Sequence, residues 1–479
     1  MGYTGMSRLV ALMVVIVAIV AIASFFGGMY AGSSGAPQRV VTITDTQPQR
    51  VTIVQTIIQT VTPSPQITTL TQTAPPIVLP DKIVIGLAVP LTGAQADAGK
   101  RGFWGIMAAV KWVNEVYGGV NLYGRKIPLE VIYYNDESKK DQVQALTERL
   151  ITVDKVHFIL STYSSPLVTA QAPITERYKY VLINWGAASD YIYEQGYKYV
   201  VGIFTPASKY LITAFEALRS IDPSLKKIAI MYKDDEFNRA SGIGASAKAK
   251  EMGYQIVYEK VYPADIKDFT PYITELARSG AEALFVSAHY ADGQLLTKQL
   301  ADAGVNFKYI AINVAACLQS YYETLGKLAE GILCPSQWEP GAEYSPVLAR
   351  SMGIEWFGPA TEEFMAFFRN VTGDPKILPS YHSGGGAAAV LALVKAIETA
   401  QSLDQDTVRQ AFNRLHLMTF YGVIKIDPAT GNQVGHDMVL GQWQNGRFVI
   451  VWPQGAAETR LYYPLPTWDE KRAGKTASY

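Results

Sequence analysis

Apolar and polar positions fall into three regimes along this chain. Leu9 to Phe26 reads LVALMVVIVAIVAIASFF, a run with no polar break, and no charged residue occurs between Arg8 and Arg39. From 31 to about 80 the pattern loses its period and turns rich in Thr, Gln and Pro. From Ile83 onward, short β-branched runs alternate with stretches of helical period. IVIGLAV (83–89), PLEVIYY (128–134), HFIL (157–160), YVLIN (180–184), KIAIMY (227–232), ALFVSAH (283–289) and YIAIN (309–313) predict strands. Helices are predicted over 99–117, 138–153, 165–177, 238–252 and 292–303. Apolar strands joined by helical crossovers make parallel sheets covered on both faces. One sheet rarely absorbs this many units, so the pattern predicts an α/β protein of two doubly wound parallel-sheet lobes.

The N-terminal run of 18 residues would span about 27 Å as a helix, nearly a hydrocarbon core. Arg8 on its N-terminal side suits an orientation with the following chain outside the cytoplasm. An uncleaved transmembrane anchor and a cleavable signal segment both fit residues 1–30, and both put the rest of the protein at the cell surface or beyond it. No cysteine follows the run, which excludes a lipoprotein anchor. Residues 31–80 are expected to be a disordered Thr/Gln/Pro-rich linker, because their prolines interrupt strands. Asn370-Val371-Thr372 is a glycosylation sequon that carries little weight alone.

In doubly wound folds, ligands bind beyond the carboxyl ends of the strands, so the loops after each strand become the candidates. STYSSP (161–166) places Ser164 and Ser165 at a strand-to-helix junction, with Pro166 set for the first helical turn. Hydroxyls and free N–H groups at a helix start favour a carboxylate, while a plain N-cap serine is the alternative. Gly186-Ala187-Ala188-Ser189 presents small side chains that admit either a ligand or a tightly packed neighbour.

Composition narrows the chemistry. Lys plus Arg equals Asp plus Glu at 42 each, which argues against nucleic acid as a partner. The five histidines, His157, His289, His382, His416 and His436, show no metal-ligand spacing. No phosphate loop, HExxH or nucleophile elbow occurs, so neither a catalytic group, a metal nor a cofactor is assigned. Gly384-Gly385-Gly386 precedes AAAVLALVKAI and reads as a helix start or a close-packing site rather than a phosphate cradle. Cys317 and Cys334 form either one disulfide or two buried thiols.

The segment from Pro90 to Ser138 resembles the leucine/isoleucine/valine-binding protein family, the branched-chain amino acid solute-binding proteins of ABC transporters. The shared marks are Pro90 to Gly93, Gly105 to Asn114, Gly118-Gly119-Val120, Gly124-Arg125-Lys126-Ile127 and Asp136. STYSSPLVTAQAPI, AEGILCPSQWEP and LYYPLPTWDE continue the resemblance, which covers nearly all of 82–470, although Ser161 stands where the family usually has glycine. It implies a type I periplasmic-binding-protein fold: two lobes joined by three crossovers and closing on one solute. The crossovers are expected near Phe204-Thr205-Pro206, Pro335 to Trp338 and Leu440 to Trp443. Lobe 1 is then 81–204 with 337–440, and lobe 2 is 205–336 with 441–479.

By the same resemblance the ligand contacts are Ser164, Ser165, Ala187 and Ser189 on lobe 1, with Phe237, His289 or Tyr290, and Asn313 on lobe 2. Two positions depart from the pattern: Asn313 stands where an acid usually meets the ligand's ammonium, and Ala98 where an aromatic wall is usual. Asp190, Asp292 or Glu236 is a substitute acid. The implied function is capture of a branched-chain or other amino acid, or a related small organic solute, for an ABC permease. The alternatives are a surface receptor sensing amides, urea-like compounds or carboxylic acids, and an enzyme on the same lobes.

Overall fold

The computed structural model describes residues 39–43, 52–59, 66–73 and 78–477. The expected anchor, Leu9–Phe26, lies outside them. Among the described residues no single helix is long and apolar enough to cross a membrane.

Residues 1–79 and 80–479 form separate units. In the first, Arg39–Ile43, Thr52–Gln59 and Gln66–Thr73 make an antiparallel three-stranded sheet in that order. This corrects the expectation of a disordered spacer. The strands are dense in Val, Ile and Thr, which favour a pleated backbone, and Pro48, Pro63, Pro65, Pro75 and Pro76 all fall outside the strand bounds.

The second unit carries two large sheets. The first is wholly parallel and takes, in chain order, Ile83–Val89, Leu129–Asn135, Phe158–Leu160, Leu182–Asn184 and Val200–Gly202. Their spatial order is 2-1-3-4-5, so the winding reverses between the first and third strands. The second sheet repeats that order with Lys227–Lys233, Gln255–Tyr262, Ala283–Ala288, Tyr309–Val314 and Leu333–Ser336. Two antiparallel strands, Val439–Gln444 and Arg447–Trp452, extend its far edge. Ala283–Ala288 and Tyr309–Val314 are buried along their whole length, which is why they read as continuous apolar runs. Cys317 and Cys334 are disulfide-bonded, with Cα atoms 5.4 Å apart, and tie the turn after Tyr309–Val314 to Leu333–Ser336.

Two long helices meet against the first sheet: Ala96–Trp112, continued by a wider turn over Val113–Tyr117, and Tyr381–Ala400. Glycines bring their backbones together. A Cβ on Gly105 would stand 2.0 Å from the Ser383 carbonyl oxygen, and one on Gly386 would stand 2.5 Å from that of Gly102. The triple glycine is therefore a close-packing device inside the helix, begun by the Ser380–Ser383 capping box.

The segments that pass between the sheets are tied at Gln337. Its amide oxygen accepts from Thr205 N at 2.7 Å and from the Tyr421 hydroxyl at 2.8 Å. Its nitrogen donates to Thr205 O at 3.3 Å and to the Tyr210 hydroxyl at 2.5 Å. Thr205 Oγ1 in turn donates to His436 O at 3.1 Å. Glu339 lies beside this knot, buried, and accepts from Ser336 Oγ at 2.6 Å. Burial pushes its carboxyl up to about 8, against the opposing pull of Ser336 and Arg101, and Glu458 adds to the rise.

Two outcomes are expected. Alanine gains about 1 kcal/mol over glycine in a helix, but overpacking costs roughly 1–3 kcal/mol, so Gly105→Ala should lower the melting temperature. A raised value would mean that the two helices are free to separate. Because the folded-state value of Glu339 lies above its ordinary 4.5, its contribution is complete below that pH and fades as pH rises towards about 8. The melting temperature of the native chain relative to Glu339→Gln should therefore fall between pH 5 and 8, and a constant difference would refute the buried acid.

Candidate functional site

Each winding reversal leaves a crevice at the carboxyl ends of its strands, and the two crevices share one tight cavity with about 10 Å³ of free volume, room for roughly one water molecule. From the first sheet come Tyr163, Ser164 and Ser165, with Gly186 and Ala188 from the next loop. From the second come Phe237, His289 and Val314. Phe204 and Tyr210 flank the first crossover, and Tyr381 enters from the start of its helix.

The two loops on the first sheet form one polar unit. Ser165 Oγ accepts from Ala188 N at 3.2 Å and Ser189 N at 3.1 Å, which joins them. Asn184 Oδ1 accepts from Ala187 N at 2.9 Å, and Asn184 Nδ2 donates to Ala187 O at the same distance. A Cβ on Gly186 would lie 2.0 Å from Thr162 O, so close packing excludes any side chain there. Below them Thr162 Oγ1 donates to the buried Asp136 at 2.5 Å, and burial raises that carboxyl to about 6.

Ser164 caps the helix Ser165–Arg177 through its backbone: its carbonyl accepts from Leu167 N and Val168 N at 3.0 and 2.8 Å. Its hydroxyl does no capping. Ser164 Oγ is buried, borders the cavity and makes no hydrogen bond. Opposite it, His289 Nε2 is also buried without a hydrogen bond, 3.5 Å from Asp235 Oδ2. Burial holds this imidazole below its ordinary value, against the opposing pull of Asp235.

The walls are aromatic. Tyr210 meets Phe237 edge-on at 5.0 Å, and Phe204 meets Tyr381 at 5.6 Å. The Tyr163 hydroxyl pairs with His382 Nε2 at 3.1 Å. Burial keeps both neutral, raising the tyrosine and lowering the histidine.

Of the residues expected to touch ligand, Ser164, Ser165, Phe237 and His289 converge on the cavity. Ala187 and Ser189 belong to the right loop but do not line it; Ser189 Oγ instead donates to Glu236 O at 3.0 Å, across to the second sheet's loops. Tyr290 turns away to Ser320 O and Thr324. The Asn313 amide is spent within its own lobe, donating to Ser241 and Ser287 and accepting from Ala288 N. The three substitute acids are also engaged elsewhere. Asp190 holds Ser208, Asp292 pairs with Lys233 at 3.2 Å and accepts from Tyr262, and Glu236 lies 3.7 Å from Lys140.

Tyr163, Phe204, Tyr210 and Tyr381 were not marked by sequence reasoning. Two adjoin marked features, the serine pair and the first crossover, and Tyr381 adjoins the helix start. Among the described residues no cluster of three or more His, Cys, Asp or Glu is placed to hold a metal.

Two facing lobes with one cavity between them have clear counterparts. A model of the family described as periplasmic binding protein matches residues 82–447. The chain belongs to that family. This periplasmic binding protein is 25% identical over 395 residues to Leu/Ile/Val-binding protein homolog 7 of Brucella suis biovar 1, covering 80% of this chain and 94% of the relative. Its fold matches the leucine binding protein LivK of Thermotoga maritima with a TM-score of 0.66 at 20% identity, over 77% of this chain and 98% of the other. It also matches an ABC-transporter solute binding protein of R. palustris, solved with 4-hydroxybenzoate, with a TM-score of 0.65 at 21% identity, over 77% and 95%. Periplasmic binding proteins act outside the cytoplasm and in general are not enzymes, and this member is a solute-binding protein of that kind.

The geometry separates the two serines. Ser165→Ala strands two buried N–H groups and should cost about 1–3 kcal/mol of stability. Ser164→Ala removes a hydroxyl that has no protein partner, so thermal melting should be unchanged or slightly higher. Equal losses in both variants would mean that Ser164 is structural.

Proposed function

We propose that this protein captures one small organic solute between its lobes and hands it to an ABC permease. The observation that carries this is a cavity bordered at once by Ser164 and Ser165 from one lobe and Phe237 and His289 from the other. A solute that fits between them favours the closed arrangement by touching both halves. Contacts outside the cavity brace the same arrangement: Ser189 Oγ to Glu236 O, and Ser320 Oγ to Asp97 Oδ2 at 3.1 Å.

In this reading lobe 1 comprises 81–204 and 337–440, and lobe 2 comprises 205–336 and 441–479. The ligand contacts are Ser164, Ser165, Phe237 and His289, joined by the aromatic walls. Leu9–Phe26 holds the protein at the outer face of the cytoplasmic membrane. The compounds named for its structural counterparts, leucine and 4-hydroxybenzoate, delimit the ligand search: an amino acid or a small organic acid.

Native mass spectrometry of the full-length chain against a solute panel should find one molecule bound per chain, with a thermal upshift. Ser164→Ala should weaken that binding about tenfold, the equivalent of one hydrogen bond near 1.4 kcal/mol, without loss of fold. Turnover of the bound solute, or affinity indifferent to Ser164 and Phe237 replacement alike, would defeat the reading.

A further inference from the structure

We infer that the cavity is built for a small carboxylate with an apolar body and no cationic group. The inference rests on solute capture as proposed above and narrows its substrate class. It follows from the distribution of donors, charges and rings around the space.

One end is made of donors. Ser165 Oγ already accepts two backbone N–H bonds, which occupies its acceptor side and leaves its own hydrogen to give. Those two bonds also polarise the hydroxyl and strengthen it as a donor. Ser164 Oγ is buried and in no hydrogen bond. Both lie at the start of the 13-residue helix Ser165–Arg177, whose dipole favours negative charge there. His289, whose Nε2 is likewise buried and in no hydrogen bond, borders the same space from the other lobe.

The opposite charge has no such provision. None of the residues lining the cavity carries a carboxylate. Asp235 stands behind His289, but its oxygens accept from Asn238 N and Nδ2 at 2.9 Å, and it caps the helix Glu236–Glu251. Asn313, at the position expected to hold an ammonium, is fully hydrogen-bonded away from the cavity. A zwitterionic amino acid would satisfy its carboxylate and bury an ammonium with no charged partner.

The remaining surface is a ring box. Phe204, Tyr210, Phe237 and Tyr381 meet in edge-on pairs, which suits a further ring or a branched alkyl group.

Matched compounds test this on the full-length chain by calorimetry. Leucine and 4-methylpentanoate share a carbon skeleton and differ in the α-ammonium, and benzoate supplies a ring. We expect 4-methylpentanoate or benzoate to bind at least about tenfold tighter than leucine, and Ser164→Ala to weaken that carboxylate about tenfold. Tightest binding of leucine overturns the inference and leaves solute capture standing. So does tightest binding of glycine betaine, whose methylated cation would use the rings instead. A chain that binds only solutes lacking a carboxylate does the same. Failure of every solute in the panel to bind overturns both.

Discussion

A parallel sheet whose winding reverses cannot cover its own strand ends at the point of reversal. Loops on either side of that point run to opposite faces and leave a crevice. This chain makes that reversal twice, between Ile83–Val89 and Phe158–Leu160 and again between Lys227–Lys233 and Ala283–Ala288. The same strand order in both sheets sets one crevice opposite the other, and the cavity is what they share. The residues that border it follow from this constraint: Tyr163 to Ser165 come after one strand at a reversal, and Phe237 and His289 after two more.

Loops in such a place must satisfy their own polar groups, because little water reaches them. Asn184 and Ser165 do this for the loop after Leu182–Asn184, and Gln171 Oε1 accepts from Thr162 N at 2.9 Å. Trp185 closes the unit by donating its indole N–H to Ser161 O at 2.6 Å. The network is nearly complete, which gives the exceptions their meaning. Ser164 Oγ and His289 Nε2 are left over among the buried polar atoms of the residues that border the cavity.

The alternation of β-branched runs and helical stretches marked seven of the strands within a few residues. It passed over short or polar ones such as Val200–Gly202 and Gln255–Tyr262, whose pairing comes from neighbours rather than local pattern. The Thr-rich N-terminal strands were hidden because the prolines between them read as interrupting any strand. Ser164 was legible because the strand-end rule points to its loop, and His289 because the family resemblance carries over residue by residue. The aromatic walls were not. Phe204, Tyr210 and Tyr381 lie in a crossover and a distant helix start, and only folding brings these separate segments together. Asn313 shows the opposite failure: its position along the chain suggested a ligand role, but its side chain is consumed by Ser241, Ser287 and Ala288.

The cavity and the hinge are one mechanical object. Tyr210 forms part of the wall, and its hydroxyl receives the Gln337 amide that also grips Thr205 and Tyr421. Gln337 and Thr205 belong to two different crossover segments, and Thr205 reaches a third at His436. A shift in the angle between lobes must therefore disturb the group that holds Tyr210 in place. Conversely, a guest seated against Tyr210 and Phe237 stabilises the ring pair that this amide supports. Under the proposed function, capture and closure would be coupled through this buried amide, because interfaces packed this way switch between discrete arrangements instead of deforming smoothly.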